Sequence, residues 1–192
     1  MQVNDGGIVA KETGLTRLFV ALALPPAMCA ELALRQPQPT PGIRLVDMQQ
    51  MHLTLHFIGE ASLPHVADAL KIVQDRPFRF SIAGLGKFSG KDGRVTIWAK
   101  VPANQALEDL HDSIGVALSV TGFHPDLRPY RPHITLARCT APIPADLIDH
   151  YMATNAPLEL PSIDVAGFAL YSSTTTSAGV QYRIEQWYRL MM

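Results

Sequence analysis

Two short motifs of the same pattern hold the residues best suited to chemistry. His52-Leu53-Thr54-Leu55 and His133-Ile134-Thr135-Leu136 lie 81 positions apart, each inside an apolar, strand-like stretch. An imidazole gives or takes a proton near neutral pH, and a threonine hydroxyl donates a hydrogen bond without adding charge. The repeated pair therefore suits acid–base chemistry on an anion that carries several oxygen atoms.

Strand geometry gives the spacing of each motif a physical meaning. Side chains alternate along a strand, so His52 and Thr54 share one face and lie about 6.5 to 7 Å apart, while the leucines face the core. We expect the same arrangement for His133 and Thr135. A single motif of this kind is more often two strand residues facing solvent, but its repetition favours a shared site.

A metal site is the weaker reading of the same histidines. His52 and His56 would stand about 13 Å apart on a strand, too far to bind one ion. No carboxylate accompanies either motif. We therefore expect no metal at this site.

Helices and antiparallel strands must position the motifs. Strands are predicted at 16–24, 51–58, 78–88, 94–101, 133–138, 158–171 and 180–190, and helices at 25–35, 62–74, 104–120 and 144–154. Several predicted strands are neighbours in sequence, which favours an α+β fold with antiparallel sheets over a doubly wound parallel sheet. No glycine-rich phosphate loop follows a strand.

Composition limits the partners. The 192 residues carry 16 basic and 17 acidic side chains, 47% hydrophobic residues and a net charge of −1. Disorder as the main state and a whole-protein basic surface for long nucleic acids are both disfavoured. No apolar run is long enough for a membrane span.

The predicted location is the cytoplasm. Cys29 and Cys139 form neither a disulfide framework nor a metal spacing, which fits a reducing compartment. Arg17 and the apolar run 18–24 could also be read as a short signal peptide, but strand-type residues dominate the run. Residues 1–15 are predicted to be a loose leader before a single domain of residues 16–192.

The chain resembles the two-histidine (2H) phosphoesterases, and among them most closely the RNA 2',3'-cyclic phosphodiesterases, historically called 2'-5' RNA ligases. The resemblance spans residues 17 to about 190 and is densest at Tyr130-Arg131-Pro132-His133-Ile134-Thr135-Leu136-Ala137-Arg138. Its other segments are Arg17 to Ala21 with Pro25-Pro26, Met51 to Gly59, Gly84 to Phe88, Thr96 to Trp98, Leu170 to Ser173, and Tyr182.

This resemblance implies a bilobal α+β fold with two antiparallel sheets flanked by helices. Two similar lobes each supply one motif to a central cleft with pseudo-twofold symmetry. It implies opening of a 2',3'-cyclic phosphate at an RNA or nucleotide end to a 2'-phosphate. It implies no metal, no organic cofactor and no protein partner. By the same resemblance His52 is the proton donor, His133 the proton acceptor, and Thr54, Thr135 and Arg138 hold the phosphate.

For four further residues the sequence leaves two interpretations open. Arg138 lies five positions after His133, so an ideal strand would point it away from the cleft; it reaches the phosphate only if the strand ends or bulges near Cys139. Otherwise it makes a surface salt bridge. Phe57, its equivalent in the first motif, either stacks on a base at the rim or packs in the core. His56 either lines the rim or is structural, and Arg131 either guides an RNA end or is solvated.

The sequence leaves two other functions open. The same chemistry in reverse would join RNA ends through a 2'-5' linkage, although hydrolysis should prevail in dilute water. A module that binds nucleotide ends without turnover is the alternative from another class. Turnover of 2',3'-cyclic nucleotides in EDTA separates an enzyme from a binding module.

Overall fold

The computed structural model describes residues 14–126, 128–140, 143–155, 157–177 and 179–191. The strands in these ranges are β1 Leu15–Ala23, β2 Ile43–Leu45, β3 His52–Ser62, β4 Phe78–Ala83, β5 Leu85–Ser89, β6 Val95–Lys100, β7 His133–Cys139, β8 Glu159–Val165, β9 Gly167–Thr176 and β10 Gly179–Arg189. The α-helices are α1 Pro26–Ala33, α2 Leu63–Leu70, α3 Gln105–Ser119 and α4 Ala145–Asn155.

The strands form two antiparallel sheets, as predicted. The main sheet has the order β10-β9-β1-β3-β7-β6-β5, with β2 paired to β7 beside this path, and β4 pairs with β8 in a small second sheet. The motif strands β3 and β7 are neighbours at the centre, where Leu53 pairs with Ile134. Each half of the main sheet thus contributes one motif strand, which confirms the bilobal α+β architecture.

One face of the main sheet forms the core and the other is left for the site. Leu18, Val20 and Leu22 of β1 and the motif leucines Leu53 and Leu55 are buried with apolar side chains of α1, α2 and α3. Since side chains alternate across a strand, the motif histidines and threonines face the opposite side. We call this opposite side the site face.

The two motif strands carry the same irregularity. The β1–β3 register shifts so that Val20 is opposite His56 while Ala21 is opposite Thr54, and the β6–β7 register shifts so that Ile97 is opposite Ala137 while Trp98 is opposite Thr135. In each motif strand the leucine after the threonine is the extra residue of a β-bulge. The side chains that follow directly, His56 and Phe57 in β3 and Ala137 and Arg138 in β7, therefore lie on the face opposite to that of an ideal strand.

Several predicted boundaries were wrong. The predicted strand 78–88 is two strands in different sheets, divided at Gly84, which adopts a positive φ of 87° that a residue without a side chain tolerates. The predicted strand 158–171 is likewise divided between β8 and β9, and β9 continues to Thr176, beyond the predicted end of the strand. Strand β2 was not predicted at all, because three residues are too few to show a period.

The apolar run 18–24 lies largely within β1, at the centre of the buried sheet. This placement fits the strand interpretation of the run. The first thirteen residues of the predicted leader lie outside the described residues. No helix in the described part of the chain is long and apolar enough to cross a membrane.

Candidate active site

Both motif histidines are held by the same backbone contact. His52 Nδ1 lies 2.7 Å from the carbonyl oxygen of Gln50, and His133 Nδ1 lies 2.7 Å from the carbonyl oxygen of Arg131. A carbonyl only accepts, so each Nδ1 carries the hydrogen and donates it. In each neutral ring the free lone pair is then on Nε2, the nitrogen left for a ligand.

The pairing of β3 with β7 brings the two motifs together in crossed order. With Leu53 opposite Ile134 in antiparallel strands, His52 lies across from Thr135 and His133 lies across from Thr54. Side chains directly opposite have Cβ atoms about 4.5–5.5 Å apart, closer than neighbours on one face of one strand. The sequence predicted each histidine beside its own threonine; the structure adds the threonine of the other motif.

The bulge in β7 turns Arg138 onto the site face. Ala137 and Leu136 are both buried in succession, and Arg138 is exposed beside Thr96 of β6. From the sequence, we expect Arg138 to reach a phosphate only if the strand ends or bulges near it, and the bulge meets that condition. In the described part of the chain Arg138 makes no salt bridge, so the surface-salt-bridge alternative finds no support.

The same bulge in β3 separates the roles of His56 and Phe57. Phe57 is 71% exposed and lies on the site face with Phe19, so core packing is wrong for it and a rim position is favoured. His56 does not share the face of His52, because the bulge turns it toward the core. It is 6% exposed and its Nε2 lies 2.7 Å from the carbonyl oxygen of His111. His56 is therefore structural, although it borders the cavity beside it.

A stack of rings supports β3 behind the site. The His56 ring stacks on His111 at a centroid distance of 4.1 Å, and His111 stacks on Tyr130 at 4.0 Å. The Tyr130 hydroxyl donates to the carbonyl oxygen of Thr54 at 3.0 Å. Tyr130 thus connects the segment before the second motif to the first motif, and burial raises its pKa far above the ordinary value.

Aromatic rings surround both catalytic candidates. His52 lies against Phe19, Tyr171 and Tyr182, with centroid distances of 4.9, 6.0 and 5.2 Å. His133 lies against Phe88 and Trp98 at 5.1 and 5.7 Å. Tyr171 is buried and Trp98 is half-buried, and both residues also form walls of the site.

These surroundings lower the pKa of both histidines. Burial is the main cause for His52, whose pKa falls to about 4, and the charges of Arg138 and His133 lower it further. Burial and the charge of Arg138 also lower the pKa of His133. Both rings are therefore neutral at pH 7 in the free protein, and a bound anion would oppose the effect of Arg138.

Two cavities flank the histidines. One of about 730 Å³ is lined by Thr54, Phe57, Phe88, Tyr130, Arg131 and His133, with further residues of the segment 123–129. The other, of about 520 Å³, is lined by His52, Met48 to Met51, Tyr171 and Tyr182, among others. Arg131 is exposed at the first cavity, where its carbonyl oxygen also orients His133.

The described residues contain no group of three or more His, Cys, Asp or Glu side chains placed to hold a metal ion. The two motifs and Arg138 together supply two imidazoles, two hydroxyls and one guanidinium on the site face. Such a set can bind a phosphate group and exchange protons with its oxygens.

Known proteins are similar to this chain in sequence. The 2'-5' RNA ligase superfamily matches residues 24–176. A Thermus thermophilus protein named RNA 2',3'-cyclic phosphodiesterase is 32% identical over 184 residues, which cover 88% of this chain and 87% of the relative.

Two solved structures share the architecture. The structure of TT0787 from Thermus thermophilus superposes with a TM-score of 0.71 at 29% identity and covers 91% of this chain and 97% of that one. E. coli LigT, complexed with 3'-AMP, superposes with a TM-score of 0.74 at 22% identity and covers 93% and 99%. With the paired motif strands at the centre of the sheet and a match over most of its length, this chain is a member of the 2'-5' RNA ligase superfamily, the 2H phosphoesterases.

Proposed function

We propose that the protein hydrolyses the 2',3'-cyclic phosphodiester at RNA or nucleotide ends and leaves a 2'-phosphomonoester. The relatives at 26–32% identity over most of the chain carry the name RNA 2',3'-cyclic phosphodiesterase. The observation that carries the proposal is the Leu53–Ile134 pair, which sets two identically oriented histidines and two threonines around one point of the site face.

Proton transfer is divided between the two histidines. Neutral His133 takes a proton from water on Nε2 as the water oxygen attacks phosphorus. The bond from phosphorus to the ribose 3'-oxygen breaks, and protonated His52 gives its Nε2 proton to that oxygen. One proton enters and one leaves, so the pair only needs to exchange its protonation states before the next turnover.

The substrate supplies the conditions for this division. In the free protein both imidazoles are neutral at pH 7 because their pKa values are lowered. The phosphodiester brings one negative charge next to both rings and favours one added proton on the pair. The geometry is symmetric about the two histidines, so the assignment of the proton donor to His52 rests on the resemblance to the family.

Thr54, Thr135 and Arg138 hold the phosphate. The two hydroxyls donate hydrogen bonds to its non-bridging oxygens without adding charge. Arg138 supplies the positive charge that stabilises the extra negative charge in the transition state. Phe57 and the aromatic walls of the two cavities offer surfaces on which a base can stack.

The activity resides in a single domain, residues 16–192, in a reducing, cytoplasmic setting that suits two buried free thiols, Cys29 and Cys139. Neither a metal nor an organic cofactor takes part in the proposed steps.

The test is incubation with a 2',3'-cyclic nucleotide and with a cyclic-phosphate-terminated oligoribonucleotide, both in EDTA. We expect a 2'-monophosphate product, distinguished from the 3'-isomer by chromatography. His150→Ala, at an exposed histidine of α4, is the matched control for His52→Ala and His133→Ala and should retain activity. Binding without turnover would favour the binding module, and a 3'-monophosphate would contradict the proposed direction of ring opening.

A further inference from the structure

Arg44 lies beside Arg138 on the site face. In the β2–β7 register Arg44 is opposite Arg138, and side chains at opposite positions of an antiparallel pair point to the same side. Ile43 and Leu45, the neighbours of Arg44, pack on the other side with Ala137, Cys139 and the α4 residue Ile148. The two guanidinium groups therefore flank the same part of the site, one strand apart.

The bulge in β7 provides the place where β2 docks. Strand β3 leaves β7 after Ile134, and β2 takes over the same edge from Ala137 to Cys139. The carbonyl oxygen of Leu136, the bulged residue, accepts from the Val46 backbone N–H at 2.9 Å and from Gln36 Nε2 at 2.8 Å. Arg44 is thus fixed to the bulge that turns Arg138 onto the site face.

The β9–β10 turn contacts the Arg44 side chain. A Cβ atom at Gly179, where φ is +119°, would overlap the Arg44 guanidinium. Arg44 is exposed, and one end of its guanidinium lies against Gly179. The start of β10 is also bonded to Gln50, whose carbonyl oxygen orients His52, since Gln50 Nε2 donates to the carbonyl oxygen of Val180 at 2.8 Å.

Two adjacent arginines without an acidic partner in the described part of the chain indicate an anion. Like charges at directly opposite positions destabilise a sheet, and no salt bridge of either arginine exists within the ranges that the structure describes. Arginine binds phosphate through a planar fork of N–H donors. One terminal cyclic phosphate carries a single negative charge, which Arg138 already faces.

We infer that Arg44 binds the phosphodiester group one nucleotide upstream of the cyclic phosphate, and that the enzyme therefore prefers RNA ends to free cyclic mononucleotides. This inference rests on the proposed function and adds a substrate preference to it. An RNA end has this second phosphate and a 2',3'-cyclic mononucleotide does not. Arg44 is a specificity-determining residue, one strand farther from the histidines than Arg138.

The experiment compares three substrates: a 2',3'-cyclic mononucleotide, a dinucleotide ending in the same cyclic nucleotide, and that dinucleotide with a neutral methylphosphonate linkage. For the wild type, kcat/KM should be highest for the charged dinucleotide. Arg44→Gln should lower the ratio of charged-dinucleotide to mononucleotide kcat/KM by about tenfold or more, the loss expected for a charge-assisted hydrogen bond. The neutral dinucleotide should show no such dependence on Arg44.

The matched control is Arg76→Gln, the same change of charge at an exposed arginine between α2 and β4. It should leave the substrate ratio at the wild-type value. The dependence of log kcat/KM on log salt concentration should also become shallower by about 0.7 in Arg44→Gln with the charged dinucleotide. An unchanged ratio in a folded, active Arg44→Gln variant would overturn the inference and leave the proposed function standing. Absence of turnover in the wild type with all three substrates would instead overturn the proposed function.

Discussion

Leu53 pairs with Ile134 across the two motif strands, and this pair sets the geometry of the site. Because the strands are antiparallel, His52 is opposite Thr135 and His133 is opposite Thr54. Each histidine therefore lies beside the threonine of the other motif. A one-residue slip in this pairing would bury the catalytic candidates and expose the leucines.

The crossed pairing of the motifs predicts which threonine lies nearer to each histidine ring. Thr135→Ala should shift the His52 ring resonances in an NMR spectrum more than Thr54→Ala does, and His133 should respond in the opposite order. The physical reason is the shorter cross-strand distance. Larger shifts within each motif than between motifs would contradict the register.

Loss of either threonine should also weaken catalysis. In the proposed mechanism each hydroxyl donates to a phosphoryl oxygen on which charge grows in the transition state. Thr54→Ala and Thr135→Ala should therefore each lower kcat/KM by the equivalent of about 1–3 kcal/mol. Thr174→Ala, at an exposed threonine of β9, is the control. Wild-type kcat and KM in both variants would show that the hydroxyls do not contact the phosphate.

The lowered pKa values of the histidines predict the pH dependence. The kcat/KM of an acid–base pair reports the free protein, where one ring must be protonated and the other neutral. Since burial and Arg138 lower both pKa values below the ordinary 6.5, the bell-shaped profile of kcat/KM should peak below pH 6.5. Arg138→Gln should move both limbs to higher pH, because a positive charge near both rings is lost. A peak above pH 7 in the wild type would contradict this prediction.

The hydroxyl of Tyr130 should matter for the position of the first motif. Tyr130→Phe removes the 3.0 Å hydrogen bond to the Thr54 carbonyl oxygen but keeps the stack on His111. We expect a loss of about 1 kcal/mol in the free energy of unfolding, measured by urea denaturation. Tyr151→Phe removes a comparable hydroxyl, bound to the carbonyl oxygen of Arg35, outside the site. A lowered kcat/KM only in Tyr130→Phe would support its positioning role; equal effects in both variants would exclude it.

The site face could be predicted from the sequence because it depends on a pattern of neighbouring residues. The alternation of His, Leu, Thr and Leu predicts which side chains share a face, and both motifs follow it. The alternation does not extend past the bulge: an ideal strand would place His56 on the face of His52, whereas the bulge turns it toward the core. Aligning the two motifs could have indicated the bulge. His56-Phe57 and Ala137-Arg138 occupy equivalent positions after the second leucine of each motif, and Arg138 can face the site only if a bulge precedes it.

The remaining features depend on contacts distant in sequence. The register of β3 with β7 joins residues 81 positions apart, and no short-range pattern specifies it. Arg44 was missed because β2 has three residues and exists through its pairing with β7. The division at Gly84 was missed because residues on both sides have strand character, and only the partner strands show that they belong to different sheets.

The most direct test of the two-histidine account replaces the 3'-oxygen of the cyclic substrate with sulfur. A thiolate leaves without protonation, so this substrate needs a base but no acid. We predict that His52→Ala regains a large part of its lost kcat/KM with the sulfur substrate, whereas His133→Ala does not. Rescue of His133→Ala alone would reverse the two roles, and near-wild-type activity of either variant with the oxygen substrate would contradict the two-histidine mechanism.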